Sequence, residues 1–211
     1  MAIVRAVKTG NWSDTTVWNT GALPTSADDV YSNTFTVTID TSPTVLSISN
    51  AAATGVTVGG VFLPNNGITL TCTGTGVNAA GTGGPTACFD SSLTAGQSCL
   101  LVANCTGNSF YAVRNNGAGT VNITGNLTAG GTSGTAGAAV QNNSTGTINI
   151  TGNCTTGAGS GANAVLNSSS GTVNITGNST GGSSLATSVV NGSTGTIAIT
   201  GAIIGLVQLG R

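Results

Sequence analysis

The sequence predicts an all-β protein: a single-stranded parallel β-helix, or β-solenoid, with an N-terminal cap. Three observations predict it. The block GTVNITGN at 119–126 returns at 171–178, with near copies GTINITGN at 146–153 and GTIAITGA at 195–202, so Gly119, Gly146, Gly171 and Gly195 are spaced 27, 25 and 24 residues apart. A period in this range marks a repeat architecture in which each unit is buried by its neighbours. Inside the block, Val121 and Ile123 alternate with Asn122 and Thr124, which is the side-chain period of a strand and not of a helix. Finally, the charged residues that favour helices are nearly missing: there is no Glu, and Lys8 is the only Lys.

Taken in order, residues 1–44 form the cap and docking segment, and residues 45–211 form the solenoid with repeats of about 24–27 residues. The cap holds both tryptophans, Trp12 and Trp18. The open end of a solenoid is an exposed sheet edge, and these bulky side chains suit a plug for the first coil. A sugar-binding tryptophan pair is the alternative. Asp14, Asp28 and Asp29 read as hydrogen-bonding groups of turns, with a weak calcium site as the alternative.

Faint copies of the repeat precede the clear ones. Asn104-Cys105-Thr106-Gly107-Asn108 aligns with Asn122-Ile123-Thr124-Gly125-Asn126, and Leu70-Thr71-Cys72-Thr73-Gly74 fits the same slot with its Thr-Gly on Thr124-Gly125, which places Cys72 and Cys105 in the column of Ile123. Ala87-Cys88-Phe89-Asp90 aligns with Ala112-Val113-Arg114-Asn115, which places Cys88 in the column of Val113 and Asp90 in that of Asn115.

The four clear units share a plan: a short strand ending in Asn, a turn, Gly-Thr, a second strand, Thr-Gly and a variable loop. Stacked in parallel about 4.8 Å apart, they generate columns. Val121, Ile148, Val173 and Ile197 make one core column, and Ile123, Ile150, Ile175 and Ile199 another. Val113, Val140, Val165 and Val189 make a third, and Leu127, Cys154, Ser179 and Ile203 a looser fourth. Asn115, Asn142, Asn167 and Asn191, with Asp90 before them, are expected to form a ladder at a corner, since Asn amides can hydrogen-bond along a stack. The apolar tail Ala202–Val207 is a last coil, a cap or a contact with a partner chain.

Composition narrows the function. Only 4% of the 211 residues are charged, against about 25% in ordinary domains. Six of the nine charges lie in the first 40 residues, which makes the cap the expected docking end. A net charge of −1 with no basic patch argues against nucleic-acid binding. There is no His and no C-x-x-C pair, so no zinc site is expected, and no other metal or cofactor is. The five Cys are expected as free thiols of a protein made in a reducing cytoplasm, with Cys72, Cys88 and Cys105 in the main core columns and Cys154 in the looser one; disulfides, such as a pairing of Cys99, are the alternative. The start MAIVRAVKTGNW carries no apolar run of signal-peptide length, and no membrane span follows. The Asn-x-Ser/Thr sequons read as by-products of a Thr/Asn-rich surface.

No enzyme is expected. Polysaccharide-cutting sites need paired carboxylates or carboxylate-bound calcium, and after Asp40 the only side-chain acid is Asp90. A Ser or Cys nucleophile would lack a side-chain base. The glycine-rich loops at 128–138 and 155–163 lack the Gly-Lys-Ser/Thr signature of a phosphate cradle.

The cap also carries a resemblance. Gly10-Asn11-Trp12-Ser13, Trp18, Gly21, Leu23-Pro24, Asp28-Asp29-Val30 and Val37-Thr38-Ile39-Asp40 resemble the opening of bacterial and phage surface proteins that continue as parallel β-helices. The stretch is similar as well to the start of the domain named for its eight glycines, and the likeness covers roughly residues 8–72. The resemblance implies a non-enzymatic virion protein made in the host cytoplasm, a capsid decoration or cement protein on the major capsid protein or another virion protein. It also implies a homo-oligomer, with a trimer favoured, for which Phe89, Leu166 and Val190 on the outer face of the first strand are candidate interface residues. The alternative is a tail-fibre or adhesin segment that binds a host glycan, for which Phe110 and Tyr111 are the adjacent aromatics.

Overall fold

The computed structural model describes residues 3–50, 60–79, 87–107, 111–130, 138–156, 163–181 and 187–209. Phe110, Asn108, Arg211 and most of the two glycine-rich loops lie outside them. The described chain winds as a parallel β-solenoid of about seven turns. Its strands form one sheet of nine and one of fourteen. The only helix among the described residues is a single 3-10 turn, Thr15–Val17, capped by Asp14.

Each regular coil carries three short strands. The first strands, Val113–Asn115, Val140–Asn142, Val165–Asn167 and Thr187–Asn191, stack in the nine-stranded sheet. The second strands are Thr120–Thr124, Thr147–Thr151, Thr172–Thr176 and Thr196–Thr200. The third strands are Leu127–Ala129, Cys154–Thr156, Ser179–Thr180 and Ile203–Ile204. Second and third strands belong to one folded sheet because the long strand Thr69–Ala79 runs through both faces. Its start pairs with Ser98–Val102 and its end with Cys105–Gly107.

Both sheets take in strands from the first 44 residues. Ile3–Arg5 pairs with Asp29–Tyr31, which pairs with Thr44–Ser49. Gly10–Asn11 pairs with Thr36–Ile39, which pairs with Val61–Pro64. At the other end Leu206–Leu209 adds the ninth strand beside Thr187–Asn191.

The expected columns of the clear repeats line the interior. Val121 stands opposite Ile148, Ile148 opposite Val173, and Val173 opposite Ile197, while Ile123, Ile150, Ile175 and Ile199 follow two residues on. All but the last pair are buried; Ile197 and Ile199 are half-covered, with no further second strand stacked on them among the described residues. Val113, Val140, Val165 and Val189 are fully buried, as are Leu127, Cys154 and Ser179, whereas Ile203 is 51% exposed at the sheet edge. Aligned apolar columns withdraw the interior from water on every turn, which is the main stabilising term of such a stack.

The faint repeats are placed differently from expectation. Phe89 stands opposite Val113, so Asp90 faces Arg114 and Ser91 faces Asn115. A one-residue shift in a strand turns every side chain to the other face. It puts the Phe89 ring inside, fully buried, and turns Asp90 out, so Asp90 is not a ladder residue and Phe89 is not an interface residue. Burying an aromatic ring and leaving the carboxylate outside is the favourable choice of the two registers.

The cysteines shift for a related reason. The second strand of that coil is Ser98–Val102, whose Cys99 and Leu101 stand opposite Val121 and Ile123. Cys105 therefore falls one face later, opposite Leu127. Leu70, not Cys72, lies opposite Leu101 and so in the Ile123 column. Cys88 precedes Phe89 and sits one place before the Val113 column.

Candidate functional site: the stacked polar columns

Polar side chains stack in rows of their own beside the core columns, some at buried corners and some on the outward faces. Three rows of asparagine run along the axis.

The first is the expected corner row. Asn115, Asn142, Asn167 and Asn191 are aligned across adjacent strands and buried. Their recurring bond closes their own turn: the Nδ2 groups donate to the carbonyls of Gly119 (3.4 Å), Gly146 (3.0 Å), Gly171 (3.0 Å) and Gly195 (2.7 Å). Amide-to-amide bonds join Asn115 to Asn142 at 3.3 Å and Asn167 to Asn191 at 3.1 Å. The glycines after them admit this packing because a Cβ on Gly146 would lie 2.4 Å from the Gly119 carbonyl oxygen.

The other two rows were missed in the sequence, although the repeat spaces them identically. Asn122, Asn149 and Asn174 form an outward row on the second strands, each amide nitrogen donating backwards: Asn149 to Asn122 Oδ1 at 2.9 Å and Asn174 to Asn149 Oδ1 at 2.8 Å. Asn122 donates to the Cys99 carbonyl at 3.3 Å. The corner between second and third strands carries Asn104, Asn126, Asn153 and Asn178. There each side-chain oxygen accepts the backbone N–H one coil on, from Asn126, Asn153, Asn178 and Ala202 at 2.9–3.0 Å. The glycine before that corner must have φ near +150°: Gly125, Gly152, Gly177 and Gly201 share it. A Cβ on Gly152 would lie 2.1 Å from the Gly125 oxygen.

Flanking the outward asparagines are threonines. Thr120, Thr147, Thr172 and Thr196 stand in one register row, and Thr124, Thr151, Thr176 and Thr200 in another. The first strands carry a different outward row: Asp90, Arg114, Gln141, Leu166 and Val190. Leu166 and Val190, both candidate interface residues, are partly exposed neighbours in it. Arg114 grips Asp90 through Nη2–Oδ2 at 2.5 Å and Nε–Oδ1 at 3.3 Å. Asn116 Nδ2 donates to the same carboxylate at 2.8 Å.

The N-terminal residues are equally committed. Trp12 and Trp18 are buried edge to face, with ring centroids 4.9 Å apart, and Trp12 also meets Phe62 at 6.0 Å. Trp18 Nε1 donates to the Trp12 carbonyl, so both rings are shut away from any sugar. Asp14 accepts from the Thr16 backbone and hydroxyl and pairs with Lys8 at 3.1 Å; these bonds, the Thr16 hydroxyl first, hold its pKa down at about 2. Thr25 donates to Asp28, Ser47 to Asp29 and Ser13 to Asp40. Among the described residues no group of three or more Cys, Asp, Glu or His could hold a metal ion.

All five cysteines are free and buried. Burial pushes the Cys72, Cys99 and Cys154 thiols up to about 12, and raises Cys88 and Cys105 further. A thiol so far from its thiolate is a poor nucleophile and a poor metal ligand.

Fold and surface together define the class: a parallel β-solenoid with asparagine-pinned coils and a neutral threonine face. Comparison with models of known families, with curated proteins and with solved structures found no match.

Proposed function

We propose that this chain is a non-enzymatic structural protein of a phage virion, a decoration or cement protein on the capsid, acting as a homotrimer. The observation that carries the reading is the use to which polar side chains are put. The asparagine rows hydrogen-bond coil to coil, and Asp90, the one carboxylate after Asp40, is held by Arg114 and Asn116. Such a surface offers stiffness and little chemistry. The N-terminal resemblance to phage β-helix proteins and the scarcity of charge support the same reading. Leu166 and Val190, with Leu63 on the same sheet face, supply the apolar part of a subunit contact.

The test is immunogold electron microscopy of purified particles from the source lysate, with antibody raised against this chain. Regular labelling over the head is the expected result, and mass photometry of the purified chain is expected to give a trimer. Labelling confined to tail tips or fibres would replace this reading with a receptor-binding one. Unlabelled particles would end both.

A further inference from the structure

We infer that the outward face of the second strands is an ice-binding surface, its ligand the ordered water of an ice crystal plane. The inference stands apart from the virion reading and rests on four properties of that face.

The first is its lattice. Three successive rungs, Thr120-Asn122-Thr124, Thr147-Asn149-Thr151 and Thr172-Asn174-Thr176, are paired residue for residue without a bulge, and Thr196 and Thr200 extend the outer rows to a fourth. Strand spacing sets the repeat along the axis at about 4.8 Å, and two residues along the strand set the other at about 6.7 Å. Oxygens on the prism face of ice lie on a rectangular net of closely similar sides.

The second is hydrogen-bonding capacity. The hydroxyls of these eight threonines have no protein hydrogen-bond partner among the described residues. Each offers one donor and two acceptor sites to water.

The third is rigidity. Threonine is β-branched and stiff about χ1, so the hydroxyls and methyls are held without the entropy cost that longer side chains carry. The central row is pinned by the Asn174–Asn149–Asn122 chain of bonds, and the opposite side of the three rungs is locked by Val121, Ile123, Ile148, Ile150, Val173 and Ile175, which are 0–1% exposed. Water ordered by such an array loses little further freedom when it joins a crystal.

The fourth is what the three rungs lack. They carry no charge and no aromatic ring. Aromatic and arginine anchors dominate protein interfaces, and aromatic faces are what sugars stack on. A rigid net of hydroxyls and methyls suits neither as well as it suits ordered water.

The test is ice-affinity partitioning and ice-crystal morphology of the whole chain in dilute buffer, with a variant carrying Thr147→Tyr and Thr151→Tyr. A control variant carries Thr128→Tyr and Thr155→Tyr, exposed outward residues of the third strands. Circular dichroism and thermal melts establish that each variant is folded. If the second-strand pair fails to fold, Thr151→Tyr alone, at an exposed strand end, takes its place. The expected result is several-fold enrichment of wild type and control in the ice fraction with faceted crystals, and loss of both effects in the folded second-strand variant. Three results would overturn the inference: wild type excluded from ice like an inert protein, a folded second-strand variant that partitions like wild type, or wild type that ignores ice but pellets with crystalline chitin or cellulose.

Discussion

Asp90 and Arg114 face each other across adjacent first strands, and the guanidinium grips the carboxylate through two nitrogens. Both side chains are largely covered, with 13% and 19% of their surfaces exposed. In a solenoid body with almost no other charge, each is the other's main electrostatic partner. Removing one partner of a covered pair leaves the other charged and poorly solvated. Arg114→Met is therefore expected to cost about 3 kcal/mol in urea unfolding. The double variant Asp90→Leu with Arg114→Met is expected to recover most of that loss. A single variant as stable as wild type would show that the pair contributes nothing.

Gly152 and Gly96 both have positive φ, +153° and +83°, but differ in surroundings. A Cβ on Gly152 would meet the Gly125 backbone oxygen at 2.1 Å, whereas a Cβ on Gly96 would meet nothing within 4 Å. Gly96→Ala should cost only the left-handed backbone penalty, about 1–2 kcal/mol. Gly152→Ala adds a backbone clash between coils and is expected to cost about 3–5 kcal/mol. Thermal melts of the two variants measure the difference, and equal losses would contradict close stacking at this corner.

The five cysteines should be silent in the folded protein. With thiols at about 12 or above and their sulfurs buried, a disulfide reagent at pH 8 is expected to titrate none of them within minutes. In concentrated guanidinium all five should react. Fast reaction of any thiol in the native state would place that residue at the surface.

Asp14 sets a pH dependence confined to acid. Its folded pKa is about 2 against an ordinary value of 3.8, so the folded state holds the charged form more strongly than the unfolded chain does. The resulting stabilisation is fully present above about pH 4 and is lost as pH falls towards 2. Asp14→Asn should be less stable than wild type at neutral pH, and the gap should close across that window. Melting temperatures of both proteins between pH 2 and 6 decide it; a gap that stays constant would assign the loss to something other than charge.

The sequence was most readable where the repeat is clean. From Val113 to Thr200 the period, the inward columns and the corner asparagines followed from spacing alone, because side-chain direction in a strand depends only on parity. The two further asparagine rows lie in the same spacing, at outward and corner positions that the inward apolar periodicity does not single out. Upstream of Ala112 the copies are degenerate, and short strings such as Asn-Cys-Thr-Gly fit two places in a coil equally well.

What the sequence by itself determined is the periodic β architecture and the identity of its inward columns. What only the tertiary structure decided is register where the repeat fades: Phe89 inward and Asp90 outward against Arg114, Cys105 opposite Leu127 and not Ile123, and the pairing of Ile3–Arg5 and Gly10–Asn11 into the same two sheets. The physical reason is that a local string specifies its own alternation, but its register against the next coil is set by which side chains the neighbouring coil can bury or pair.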